Sequence, residues 1–151
     1  MYHREIRPKK SLGQHFLKDL SVAEKIAETL NVCPGLPVLE VGPGTGVLTQ
    51  FLLRDCKDLT VVELDKESVE YLKTHYPELN GRILEKDFLK LDLAASFHQP
   101  FCVIGNYPYN ISSQIFFKVL EYKDLIPFCS GMVQKEVAER LTANPGKKAY
   151  G

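Results

Sequence analysis

No apolar stretch in this chain approaches the length of a membrane span, and no hydrophobic core follows the polar, basic N-terminus as it would in a secretory signal. Neither sign of charge is in excess. The formal net charge is zero, so nothing global points to nucleic acid or to an acidic surface. No two cysteines form a CxxC pair. Cys33, Cys56, Cys102 and Cys129 are widely spaced and have no histidine at ligand spacing, which argues against a metal site or a disulfide framework. They fit reduced, mostly buried thiols of a cytoplasmic protein. Repeats and low-complexity tracts are also missing. What remains is 151 residues, 44% hydrophobic and 25% charged, the composition of one soluble globular domain with a real core.

Charge is unevenly placed within that neutral total. Residues 1–18 carry Arg4, Arg7, Lys9, Lys10 and Lys18 against Glu5 alone, a basic arm suited to phosphate contacts or to simple solvation. Beyond it the chain alternates between helical and strand patterns. Leu20 to Val32 has helical spacing, with Asp19 or Ser21 as N-cap and Pro34-Gly35 as its end. Strands are expected at Pro37 to Val41, Leu59 to Leu64, Arg82 to Leu84, Phe101 to Ile104 and Ile126 to Val133. Helices are expected from about Val47 to Cys56, Lys66 to Tyr76, Ser112 to Leu120 and Gln134 to Leu141. Alternation of this kind predicts an α/β, doubly wound, mostly parallel sheet, which binds ligands beyond the carboxyl ends of its strands.

The chemistry-bearing residues fall at those ends. Gly42, Gly44 and Gly46 form a glycine-rich loop after the first strand. Their GxGxG spacing is one residue short of the dinucleotide fingerprint, and no Lys-Ser/Thr follows to make a P-loop. A shortened loop suits an amino-acid-bearing nucleoside better than a pyrophosphate. Glu63 ends the second strand, where a carboxylate can accept both hydroxyls of a ribose, with Leu64 beside it and Asp65 as the competing acid. Asp87 ends the third strand, where it could accept from an adenine amino group with Phe88 packed on the ring. Surface acids are common, so either carboxylate alone says little; loop, acid and acid on successive strands describe an adenosine pocket.

The fourth strand is followed by Gly105-Asn106-Tyr107-Pro108-Tyr109-Asn110-Ile111-Ser112. As an isolated run this is an ordinary turn composition. Beside an adenosine pocket it places an amide (Asn106), a backbone carbonyl (Tyr107), a rigid proline (Pro108) and a stacking ring (Tyr109) around one planar base. The combination predicts an S-adenosylmethionine methyltransferase acting on a planar amino group.

From Lys9-Lys10-Ser11-Leu12-Gly13-Gln14-His15-Phe16-Leu17, through Glu40 to Thr49, Glu63, Asp87 and the Asn106 motif, to Gln134-Lys135-Glu136-Val137-Ala138, the chain resembles the KsgA-type small-subunit ribosomal RNA adenine dimethyltransferases. The related erythromycin-resistance methylases of large-subunit RNA share much of the pattern but usually lack the Leu-Gly-Gln form, and rank second. A non-catalytic RNA-binding assembly factor on the same fold ranks third.

The resemblance implies a Rossmann-like class I fold that uses S-adenosylmethionine, releases S-adenosylhomocysteine and needs no metal. It implies methylation at N6 of two adjacent adenines near the 3′ end of small-subunit RNA, within a pre-ribosomal particle. It also implies that Gln14, His15 and Leu17 bring the arm (1–18) to the cofactor site of the domain spanning 19–151. Many relatives carry Asn in place of His15. Relatives continue into further strands and a helical RNA-binding domain, so the expectation is a fragment that keeps its cofactor site and has little or no activity on RNA. An exposed fifth-strand edge, through which two copies could pair, is a further expectation.

Overall fold

The computed structural model describes residues 19–133. Both the arm, with Gln14, His15 and Leu17, and the helix expected from Gln134 lie outside them. The first described element is α1 (Leu20–Glu28), capped by the Asp19 side chain, which accepts from the Ser21 amide, and continued by a 3-10 turn at Thr29–Val32. There follow β1 (Val38–Val41), α2 (Thr49–Asp55), β2 (Leu59–Val62), α3 (Lys66–His75) and β3 (Ile83–Leu84). A 3-10 turn (Phe88–Lys90), the short α4 (Leu93–Ser96), β4 (Cys102–Tyr107), α5 (Ser112–Glu121) and β5 (Phe128–Val133) complete the order.

All five strands are parallel, in the order β3-β2-β1-β4-β5. Strand residues alternate between two cores. Val38, Val61, Cys102 and Ile104 pack with Ala23, Ala27, Leu52 and Leu72 of α1, α2 and α3. On the other face, Leu39, Val41, Val62 and Val103 pack with Leu93, Ile115 and Val119 of α4 and α5. The chain leaves β1 toward β2 on one side and β4 toward β5 on the other, so the carboxyl ends of β1 and β4 flank the topological switch point. No helix among the described residues is long and apolar enough to cross a membrane.

One boundary departs from expectation in a way that moves the site. The fourth strand does not stop at Ile104; it runs through Gly105 and Asn106 to Tyr107, pairing Asn106 with Met132 and Tyr107 with Val133. Gly105 and Asn106 read as turn residues in the sequence, but Gly105 serves close packing. A β-carbon there would stand 2.6 Å from the Val41 carbonyl oxygen. Its register partner Gly131 has φ +140° and faces the Gly105 backbone and the Tyr107 ring. The Tyr107 ring, 1% exposed, fills the space both glycines leave, with its hydroxyl donating to the Ser130 carbonyl at 2.5 Å. The turn proper therefore begins at Pro108. β5 also starts two residues late, at Phe128, because Pro127 has no amide to place in a ladder.

Candidate active site

The glycine loop leaves β1 with Gly42 donating its amide to the Val62 carbonyl at 2.9 Å, and closes on itself through Gly46 N to Pro43 O at 2.9 Å. Gly46 has φ +91°, and a β-carbon there would run into the Tyr76 ring at 2.5 Å. Tyr76 lies at the end of α3 and donates its hydroxyl to the Gly46 carbonyl at 3.3 Å. Position 46 is thus restricted to glycine twice, by backbone conformation and by a ring pressed on the loop. α2 begins only at Thr49, two residues later than its spacing predicts, because residues 44–48 stay in the turn.

Glu63 is 2% exposed, and its carboxylate joins two parts of the site. Oε1 accepts the Gly44 amide at 2.9 Å and Oε2 accepts the Asp65 amide at 2.9 Å. The loop after β1 and the turn after β2 are thereby held on one side chain. A carboxylate has about four lone-pair positions, so its two oxygens match the paired hydroxyls of a vicinal diol in kind. Leu64 is exposed and lies between the two acids, while Asp65 is committed as N-cap of α3 through Ser68 N at 2.9 Å.

Asp87 caps the 3-10 turn that follows β3, with Oδ1 accepting from Leu89 N at 3.0 Å. The Phe88 ring is 5% exposed and packed into the α4–α5 core, which leaves little of its face for a ligand ring. Asn106 sits on β4 beside β1 and β5, with its side-chain oxygen buried. Pro108 accepts from Ile111 N at 3.2 Å, and the Tyr109 carbonyl accepts from Ser112 Oγ at 3.3 Å, so the turn folds back onto the start of α5. The Tyr107 side chain points away from this turn into the core, so only its backbone can serve the site.

Glu40 is a site residue that motif spacing does not single out, although an acid inside the apolar run Val38–Val41 is a visible signal. It is 1% exposed, and the Thr49 hydroxyl donates to its Oε1 at 2.6 Å, fixing the first turn of α2 to β1. Burial pushes its pKa up to about 8; the Thr49 hydrogen bond opposes that shift and the nearby Glu63 charge adds to it. A carboxyl with a folded pKa above its ordinary 4.5 must take up a proton on folding between those two values. Its contribution to stability is therefore greatest below pH 4.5, falls as pH rises toward 8, and is flat above. Glu40→Gln keeps an acceptor for Thr49 and carries no charge. Its melting temperature is expected to rise relative to the unsubstituted protein as pH goes from 5 to 8, by several degrees at the upper end. Parallel melting curves across that range would contradict the assignment. No group of three or more His, Cys, Asp or Glu side chains among the described residues is placed to hold a metal ion.

A family model described as ribosomal RNA adenine dimethylase matches residues 6–151. The chain is 70% identical over 148 residues to a ribosomal RNA small subunit methyltransferase A of Parabacteroides distasonis, in a match covering 98% of this chain and 56% of the relative. It thus spans about half the length of the curated relatives it matches. Among solved structures it resembles the 23S rRNA methyltransferase ErmE with TM-score 0.64 and 31% identity, over 85% of this chain and 52% of that one. A dimethyladenosine transferase from Plasmodium falciparum aligns with TM-score 0.60 and 29% identity, over 99% of this chain and 50% of the other. The five-stranded parallel sheet is that of the class I methyltransferases.

Proposed function

This chain belongs to the ribosomal RNA adenine dimethylase family, and on that premise we propose that it binds S-adenosylmethionine and carries the machinery for methylating adenine N6 in small-subunit ribosomal RNA. The observation that carries the proposal is the bond from the Gly44 amide to Glu63, which ties the glycine loop to a buried carboxylate beside the Asn106 strand. Glu63 would hold the ribose hydroxyls, Asp87 the adenine amino group through its second oxygen, and Gly42, Gly44 and Gly46 the backbone approach. Gln14, His15 and Leu17 are assigned to the methionine side and Leu64 to the edge of the pocket. S-adenosylmethionine supplies an electrophilic methyl group.

The remaining chemistry belongs to the chain. An adenine amino group is a poor nucleophile because its lone pair is delocalised into the ring. The Asn106 side-chain oxygen and the Tyr107 carbonyl would accept hydrogen bonds from its two N–H groups, drawing the nitrogen toward tetrahedral geometry and localising the lone pair. As the new N–C bond forms and the sulfonium S–C bond breaks, the nitrogen becomes acidic and releases one proton to solvent. Tyr109 would stack on a base turned out of its RNA. Two observations support a preorganised clamp: Tyr107 is anchored in the core and Pro108 stiffens the turn, so alignment would cost little at the moment of reaction.

Identity of 70% to a small-subunit enzyme against 31% to the 23S enzyme supports small-subunit RNA over large-subunit RNA, and the substrate form in this proposal is that RNA within a pre-ribosomal particle. A binder without catalysis would have no use for Glu63, Asp87 and Asn106 together. Two copies could pair through β5, an edge strand among the described residues, and light scattering at high concentration would show it. The functional proposal is tested with radiolabelled cofactor, excess protein, and undermethylated small or large subunits. The expected label is N6-methylated adenine in small-subunit RNA, slow for this chain. Label confined to large-subunit RNA, or on another base, would overturn it.

A further inference from the structure

Lys118, on the helix that follows the Asn106 turn, reaches across to the segment that follows Asp87. Its ammonium donates to the Phe88 carbonyl at 2.7 Å and to the Leu91 carbonyl at 2.5 Å, and stands 5.3 Å from the centroid of the Phe88 ring. The segment it grips is a single 3-10 turn, Phe88–Lys90, with few bonds of its own: Leu91 N to Phe88 O at 3.2 Å and Lys90 N to Asp87 O at 2.9 Å. The start of the same turn is also held by the Asp87 carboxylate, which accepts from Leu89 N. Lys118 thus bridges the first residue of the turn and the residue after it, while Asp87 caps its start. The carboxylates of Asp87, Asp92 and Glu121 all lie near enough to act on the Lys118 charge. Drawing a strongly hydrated ammonium partly out of water is tolerated only where such partners replace the water.

We propose that Lys118 is a positioning residue for the adenine side of the cofactor site, setting the orientation of Asp87 through the 88–91 turn and tying it to the helix behind the Asn106 clamp. The proposal rests on the assignment of Asp87 to the adenine. Leu89 N can orient the Asp87 carboxylate only if the turn holds its shape, and a three-residue 3-10 turn holds its shape poorly alone. Removal of the ammonium would let the turn relax and release Asp87 from one preferred direction. α5 would then no longer register the adenine-side loop against the base-side turn.

The test is a double-substitution cycle read by calorimetry with S-adenosylhomocysteine, using Lys118→Met, Lys118→Arg, Asp87→Ala and Asp87→Ala/Lys118→Met, with amide exchange at Leu89 as a second readout. Lys118→Met is expected to weaken binding about tenfold, to accelerate exchange at Leu89, and to have no further effect once Asp87 is alanine. Lys118→Arg, which keeps two donors, is expected to recover most of the affinity. The same loss in both backgrounds would overturn the proposal, because it would mean general destabilisation; so would unchanged affinity in Lys118→Met. An unsubstituted protein that binds no S-adenosylhomocysteine would overturn the cofactor site itself. Asp87→Ala binding at full strength would refute only the Asp87 assignment and, with it, this proposal.

Discussion

Asn106→Ala is expected to lower methyl transfer by at least about a hundredfold, the usual loss when one hydrogen-bonding partner of a transition state is removed. The backbone around position 106 makes this a clean substitution. Residue 106 is a paired position inside β4, opposite Met132, flanked by a glycine packed on Val41 and a tyrosine anchored to Ser130. Alanine leaves those contacts in place and removes only the side-chain amide, so the fold and the Tyr107 carbonyl should stay where they are. One of two acceptors for the adenine amino protons would be gone, and the nitrogen would keep its ring-delocalised lone pair. The loss should fall on the single-turnover rate at saturating cofactor more than on cofactor affinity. A rate within about threefold of the unsubstituted protein would rule out the clamp.

The second large effect is expected at Glu63, where alanine removes a buried acceptor from two backbone amides at once. Hydrogen bonds to a charged group contribute roughly 1.5–3 kcal/mol each, so stability should fall by about 3 kcal/mol and cofactor affinity by at least about a hundredfold. Glutamine is not conservative here. Its oxygen can accept one amide, but its NH2 would face the other amide, donor against donor, at a site 2% exposed. Glu63→Gln should therefore resemble Glu63→Ala in binding while remaining folded. Cofactor binding within about threefold of the unsubstituted protein would show that Glu63 is only a structural tie between two turns.

Much of this site was legible because strand ends in a parallel sheet are marked by simple chemistry. Glycines after β1 and an acid after β2 stand out against apolar runs, and the structure joins them by a hydrogen bond between Gly44 and Glu63. The cap at Asp19 followed from a local rule in the same way, whereas the strand expected from Ile126 begins only after Pro127. What escaped were features that depend on neighbours distant in sequence. Gly105 signals a turn by composition, yet the approach of the Val41 carbonyl and the ring of Tyr107 make it a strand residue. Phe88 was expected to pack on a ligand ring, and its burial in the core beneath α5 could not be read from spacing. Tyr76 and Lys118 act on the site from the ends of other helices, and no spacing rule connects them to Gly46 or Phe88. Short helices such as α4 carry too few residues to show a period.

The most direct measurement of the central claim, that the carboxyl ends of these strands form one adenosyl-methionine pocket, is calorimetric titration of S-adenosylmethionine into this chain and into Glu63→Gln. One-site binding to the former and loss of at least about a hundredfold in the latter is the predicted result. Absence of binding to the unsubstituted chain at millimolar cofactor, or equal binding to both proteins, would contradict it.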